Sequence, residues 1–195
     1  MRREPRRDLP SGRVRIIGGA LRNSRLDVPA QAGLRPTPER VRETVFNWLA
    51  PLISGARCLD MCAGTGALGI EALSRGAASV VFVERDAQVA RALSGNLVRL
   101  KTVGGTVDTT SAQDYLRGAA QRFDVVFLDP PFALDLWSVL AQQLEAGGWL
   151  APTALIYVES PRTAVPVLPA QWQVHREAVA GAVRYALYRH VPAGS

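Results

Sequence analysis

Three stretches of this 195-residue chain carry residue types and spacings suited to holding a small ligand and acting on it. The first, Leu59-Asp-Met-Cys-Ala-Gly64-Thr-Gly66-Ala-Leu-Gly69, contains the spacing G-x-G-x-x-G. Glycine there lets the chain turn sharply and lets a ligand approach the backbone without meeting a Cβ. The second is Glu84, 20 positions after Gly64, whose carboxylate can accept both hydrogen bonds of a ribose diol. The third is Asp129-Pro130-Pro131-Phe132. Paired prolines fix their φ angles and lack N–H groups, so their carbonyls can be held toward a cleft. With Asp129 as an acceptor and Phe132 as a flat face, the set suits a planar amine such as a nucleobase NH2. Loop and acid together point to a nucleoside-bearing cofactor. They leave open which one, because nicotinamide dinucleotide sites share the pattern.

The elements that must position these residues follow from periodicity. Apolar runs predict strands over 57–62, 79–84 and 123–129, with a weaker one near 105–110. Helical spacing fits 67–75, 86–100, about 112–120 and 134–146. After Gly147-Gly148 a buried strand is expected over 154–158, then two more over 172–179 and 183–190 around Ala180-Gly181. Strands alternating with helices and ending in a hairpin imply one doubly wound α/β sheet. On such a sheet ligands bind beyond the carboxyl ends of the strands, where the glycine turn, Glu84 and Asp129 fall. Upstream, Thr37-Pro38-Glu39 reads as a helix start with a hydroxyl cap, followed by Val41, Val45, Trp48 and Leu52 at helical spacing. Arg13–Ile17 and Arg25–Val28 alternate around Gly18-Gly19, which predicts a short hairpin with arginines on one face.

Composition narrows the class. Hydrophobic residues at 48% and charged residues at 21% describe a globular domain. No run approaches the roughly 18 apolar residues of a membrane span, and Met1–Arg7 lacks the apolar centre of a secretory leader, so a cytoplasmic location is expected. Cys58 and Cys62 are too few for a disulfide scaffold or a four-ligand zinc site. His175 and His190 add no ligand spacing, so no metal is expected and the thiols read as core residues. Charge is unevenly placed: residues 1–42 hold eleven arginines against four acids, whereas the rest holds 12 basic and 13 acidic groups. A dense arginine segment beside a neutral body is the footprint of phosphate binding, since the planar guanidinium pairs bidentately with phosphate oxygens. A nucleic acid is the expected partner.

These residues also carry a resemblance. Asp60-x-x-Ala63-Gly64-Thr65-Gly66 with Glu84 resembles the class I S-adenosylmethionine-dependent methyltransferases, and Asp129–Phe132 is similar to the D/N-P-P-Y/F signature of those that methylate amino nitrogens. Arg15-Ile-Ile-Gly-Gly19, Gly33-Leu-Arg-Pro-Thr37, Arg40-Val-Arg-Glu-Thr44, Glu71-Ala-Leu-Ser-Arg-Gly-Ala77 and Ala154-Leu-Ile-Tyr-Val-Glu159 look like the bacterial 16S rRNA guanine-N2 methyltransferases of the RsmD type. The resemblance implies a Rossmann-like, seven-stranded, mostly parallel sheet flanked by helices, with a small N-terminal β-hairpin extension. It implies S-adenosyl-L-methionine held by Asp60, Ala63, Gly64, Thr65, Gly66, Glu84, Arg85, Ser111 and Ala112. Asp129, Pro130, Pro131 and Phe132 would be catalytic, and Arg13, Arg15, Arg22, Arg25, Arg35, Arg40 and Arg42 would meet rRNA phosphates. Residues 1–12 would be a basic flexible tail, 13–35 the RNA-gripping extension and 36–195 the catalytic domain. The substrate would be one guanine of 16S rRNA, within a small-subunit particle, and the enzyme a monomer needing neither metal nor membrane. Ser111 departs from the Asp or Asn of relatives and has a shorter reach toward an adenine amino group. Methylation of DNA adenine or a protein glutamine, a non-catalytic RNA-binding assembly factor and a nicotinamide-dependent oxidoreductase are the alternatives.

Overall fold

The apolar runs of this chain leave too few polar positions to face water on either side, and they become interior parallel strands. β3 (Arg57–Met61), β4 (Ser79–Val83), β5 (Gly105–Asp108), β6 (Phe123–Leu128) and β7 (Leu150–Pro161) pair in parallel, and β8 (Trp172–Ala180) with β9 (Val183–His190) closes one edge as an antiparallel hairpin. The structure, a computed structural model, describes residues 12–30 and 37–192. Arg35 and nearly all of the expected basic tail lie outside the described residues. Among those described, the main sheet runs β5-β4-β3-β6-β7-β9-β8, with β9 antiparallel to β7. This is the seven-stranded, mostly parallel α/β sheet that the resemblance implies. Strand order reverses between β3 and β6, which opens a crevice at their carboxyl ends.

Helices cover both faces. α1 (Glu39–Leu49), α2 (Ala67–Ser74) and α3 (Ala87–Arg99) share one core with Phe127 and Tyr157, while α4 (Ala112–Tyr115) and α5 (Trp137–Ala146) bury Leu128, Trp149 and Ile156 on the other. The hairpin β1 (Gly12–Arg15) and β2 (Arg25–Val28) is antiparallel, as expected, and contributes Val14, Ile16, Leu26 and Val28 to the first core. Polar side chains fasten it to the body. Asn96 on α3 accepts from the Asp27 N–H at 3.0 Å and donates to the Asp27 carbonyl at 3.0 Å, as a neighbouring strand would. Glu71 on α2 accepts from the Ile17 and Gly18 N–H groups, each at 2.8 Å.

Two glycines of the G-x-G-x-x-G run, Gly66 at the start of α2 and Gly69 within it, are explained by packing. Gly66 has φ +73°, and a Cβ there would lie 2.2 Å from Leu93 Cδ1; one on Gly69 would lie 2.2 Å from Phe82 Cε1. The absent side chains let α2 close onto α3 and β4, a role the glycine spacing alone does not separate from ligand approach. Gly66→Ala is expected to cost about 1–3 kcal/mol from overpacking alone, read as a lower urea midpoint with unchanged slope.

Element ends differ from expectation where local chemistry intervenes. α5 starts at Trp137 because Phe132–Leu134 form one 3-10 turn and Asp135, at φ +45°, interrupts the helical path. α4 is a four-residue helix ending at Tyr115, and the chain turns through Gly118. β7 runs from Leu150 to Pro161 because both flanks of the apolar run continue to pair. Thr37 does not cap α1: Pro38 occupies the cap position, and no side chain supplies a hydrogen bond there.

Candidate active site

A cleft of about 640 Å³ opens at the carboxyl ends of β3 and β6, within the size range of small-molecule sites. Asp60 lines it from the end of β3, Ala63, Gly64 and Thr65 from the loop that follows, Glu84 and Arg85 from the end of β4, and Ser111 and Ala112 from the start of α4. Asp129, Pro130, Pro131 and Phe132 complete it from the end of β6. The two motifs singled out from sequence therefore border one hollow. Gly66 is not among the lining residues; it lies against Leu93.

On the β4 side, the Glu84 carboxylate is held by two backbone donors, the Gly64 N–H at 2.9 Å and the Asp86 N–H at 2.8 Å. Each oxygen keeps a further lone pair, so the group can accept from a ligand without moving. Asp60 accepts from the Gly69 N–H at 2.9 Å, which ties the loop to the first turn of α2. Burial pushes the Asp60 carboxyl up to about 8, against the pull of the Gly69 N–H and with a further push from Glu84. Cys62 also lines the cleft, at φ +58°, where a residue with a Cβ is strained. Burial pushes its thiol up to about 12, so it is no nucleophile at neutral pH. Ser111 accepts from the Asp114 N–H at 3.1 Å and donates to Asp114 Oδ2 at 2.6 Å. Its hydroxyl proton is thereby spent on the Asp114 carboxylate while its oxygen caps α4.

The other end of the cleft gathers acceptors. Thr37 Oγ1 donates to Asp129 Oδ2 at 3.3 Å, the bond that replaces the expected helix cap. Burial holds the Asp129 carboxyl well above the usual carboxylate range, the nearby Glu159 carboxylate raises it further, and the Thr37 hydrogen bond opposes both. Glu159, at the end of β7, also lines the cleft and is 7% exposed. The Tyr157 hydroxyl donates to Glu159 Oε2 at 2.8 Å, and Trp137 Nε1 donates to the Glu159 carbonyl at 2.7 Å. Phe132 is 39% exposed, its ring centroid 5.6 Å from that of Trp137. Sequence reasoning misses Thr37, Cys62 and Glu159 as cleft residues. For Glu159 a signal exists: a carboxylate ends the apolar strand that follows the one bearing Asp129.

The arginines divide. Arg13, Arg22, Arg25 and Arg40 are exposed, and Arg15 is exposed but paired with Glu39 at 2.8 Å. Arg42 is not a surface group at all. It is 1% exposed, donates to the carbonyls of Thr37 at 3.1 Å and Arg15 at 2.9 Å, and faces Glu71 at 3.5 Å. Its assignment to RNA is thereby corrected, because the guanidinium is buried between the hairpin, α1 and α2, out of reach of a phosphate.

Comparison with known proteins agrees over most of the chain. Residues 14–189 match the model of the family described as conserved hypothetical protein 95. The ribosomal RNA small subunit methyltransferase D of Escherichia coli K12 is 49% identical over 94% of this chain and 93% of its own length. The protein of the same name from Haemophilus influenzae is 45% identical over 92% and 95%. A solved Escherichia coli structure, that of yhhF, superposes with a TM-score of 0.87 at 47% identity, covering 92% of this chain and 99% of that one. With the family model spanning the hairpin and the whole sheet, the chain belongs to the conserved hypothetical protein 95 family, beside the ribosomal RNA small subunit methyltransferases D.

Proposed function

We propose that this protein is an S-adenosyl-L-methionine-dependent rRNA methyltransferase that methylates the exocyclic N2 of a guanine in 16S rRNA, within a small-subunit particle in the cytoplasm, and acts as a monomer. The observation that carries this reading is the shared cleft, with a nucleoside-holding loop and acid at one end and the Asp129-Pro130-Pro131-Phe132 acceptors at the other. The cleft suits the donor: Glu84 is preset to accept from a ribose diol, and the Ala63–Thr65 backbone lines the wall beside it. Bound there, S-adenosylmethionine supplies an electrophilic methyl group on a sulfonium centre.

Guanine N2 is a weak nucleophile because its lone pair is delocalised into the ring. Asp129 and the Pro130 carbonyl would accept its two N–H bonds, which favours a pyramidal nitrogen with the lone pair free to attack. As the N–C bond forms, the methyl–sulfur bond would break to leave a neutral thioether, and the nitrogen's surplus proton would pass to solvent. Phe132, half open to solvent beside Trp137, offers a stacking face for a base drawn out of its strand. The protein thus contributes orientation and placed charge, with no covalent intermediate on the enzyme. Asp129 accepts its N–H most strongly as the ionised carboxylate. Because burial raises its carboxyl, activity is expected to fall with decreasing pH at a higher pH than the ordinary value of about 4 would give. A profile of kcat/KM for the methyl donor checks this; an acid limb near 4 would contradict it.

Residues 13–35 are assigned to gripping RNA, and 36–195 to catalysis. Arg13, Arg15, Arg22, Arg25 and Arg40 are its candidate phosphate contacts among the described residues. Arg22→Glu with Arg25→Glu is expected to weaken RNA binding and leave donor affinity unchanged. The salt slope should flatten by roughly 0.7 log units for each single-strand phosphate no longer engaged, measured by filter binding across a salt series. The reaction itself is tested by incubating the protein with labelled donor and small subunits that lack the modification, then mapping the methylated nucleoside by mass spectrometry. Label on adenine N6 or on protein would overturn the assignment.

A further inference from the structure

The Asp-Pro-Pro-Phe acceptors suit any planar amine, so they do not by themselves tell guanine from adenine or cytosine. The strand beside them does. β6 and β7 run parallel with Phe127 opposite Tyr157 and Leu128 opposite Val158. One step further, Asp129 and Glu159 lie side by side at the carboxyl ends of neighbouring strands. Side chains alternate along a strand, and Phe127 and Tyr157 share one core with ring centroids 6.3 Å apart. Two residues on, Asp129 and Glu159 therefore leave the sheet on that same face, and both line the cleft.

We infer that Glu159 is a specificity-determining residue, whose carboxylate accepts the N1–H of the target guanine while Asp129 accepts from the N2 amine. The inference rests on guanine N2 being the methyl acceptor. Guanine presents N1–H and N2–H2 next to each other on its pairing edge, a row of donors that matches two adjacent carboxylates. Adenine and cytosine instead carry a bare ring nitrogen beside their amines, which would set a lone pair against the Glu159 carboxylate. Uracil has the ring N–H but no amine to methylate. Tyr157 fixes Glu159 Oε2 at 2.8 Å and Trp137 fixes its backbone carbonyl at 2.7 Å, among the contacts that hold Glu159 in position. Burial first and the Glu159 charge second lift the Asp129 carboxyl, and the second of these is relieved when N–H donors enter between the two groups.

The test uses small subunits reconstituted with 16S rRNA carrying either guanine or 2-aminopurine at the methylated position. 2-Aminopurine keeps the N2 amine but has a bare N1. The wild-type protein is expected to favour guanine in kcat/KM by on the order of 100-fold or more, because a site built for an N–H rejects the analogue lacking it. In Glu159→Gln the amide can still accept from Tyr157 and can donate to a bare N1, so the preference should shrink by at least about tenfold. Tyr157→Phe, which releases Oε2 but keeps the carboxylate, should shrink the preference less than Glu159→Gln does. Equal wild-type rates on the two bases overturn the inference whether or not a variant folds. So does a Glu159→Gln protein that slows on both bases with an unchanged ratio, the signature of a purely structural carboxylate. Absence of methyl on guanine N2 from the wild-type protein would instead sink the proposed function.

Discussion

Asp129→Ala is expected to lower methyl transfer by on the order of 10²–10³-fold or more, the scale on which a missing transition-state hydrogen bond is felt. Donor affinity should change little, because Glu84 and the Ala63–Thr65 loop stay in place. RNA affinity should also persist, since the arginine hairpin is untouched. Asp129→Asn should keep more activity than the alanine variant, because its amide oxygen still accepts one N–H and can still receive the Thr37 hydroxyl. Stability should move the opposite way. A carboxyl raised in the folded state binds protons more tightly there than in the unfolded chain, so it costs stability above its unfolded value near 4. At neutral pH the alanine variant should melt no lower than the wild type, and higher if the cleft rehydrates. Single-turnover methylation beside thermal melting at pH 7 checks both halves. A variant that binds RNA and still methylates at the wild-type rate would remove Asp129 from the reaction.

Arg42→Ala is expected to cost about 3 kcal/mol, the low end of the range for leaving one partner of a buried ion pair behind, because Glu71 keeps Arg75 at 2.8 Å. Glu71 is fully buried and Arg42 nearly so. The alanine variant also strips the carbonyls of Thr37 and Arg15 of their donor. For a domain of this size, a fall in Tm on the order of 10 °C follows. Because Thr37 is the residue that steadies Asp129, methylation should slow in the folded fraction as well. Arg40→Ala, two residues earlier and exposed, should stay within about 0.5 kcal/mol of the wild type. Thermal or urea unfolding of the two variants side by side decides it; similar losses of stability in both would contradict the buried network.

Much of this architecture is legible in the residue order because the signals are local. Apolar runs ending in a glycine turn, an acid and an Asp-Pro-Pro-Phe corner place three strand ends on one side of a sheet, and the cleft lies there. Arg42 escapes a count of arginines because such a count ignores which way each one faces. Its phase on α1 holds the answer: Phe46 and Leu49, four and seven positions on, are both buried, so Arg42 sits on the inward stripe. Thr37 misleads because a hydroxyl before a proline and an acid is a capping signal, and only tertiary structure offers it a competing acceptor 92 positions away. A carboxylate closing an apolar run marks Glu159 as a strand-end residue, but its place beside Asp129 depends on register between two strands, which no local pattern reports. The late start of α5 turns on one left-handed residue, Asp135, whose type does not require it.

The hairpin's attachment decides how this enzyme's target could be changed. Its four apolar side chains belong to the same core as the catalytic sheet, and its backbone is received by Glu71 on α2, the helix that begins beside the donor loop. Such an appendage cannot be exchanged as a cassette for that of another enzyme, nor trimmed to leave a minimal catalyst. If the proposed RNA contacts hold, new substrates are more accessible by altering outward-facing side chains such as Arg13, Arg22 and Arg25 on an intact framework.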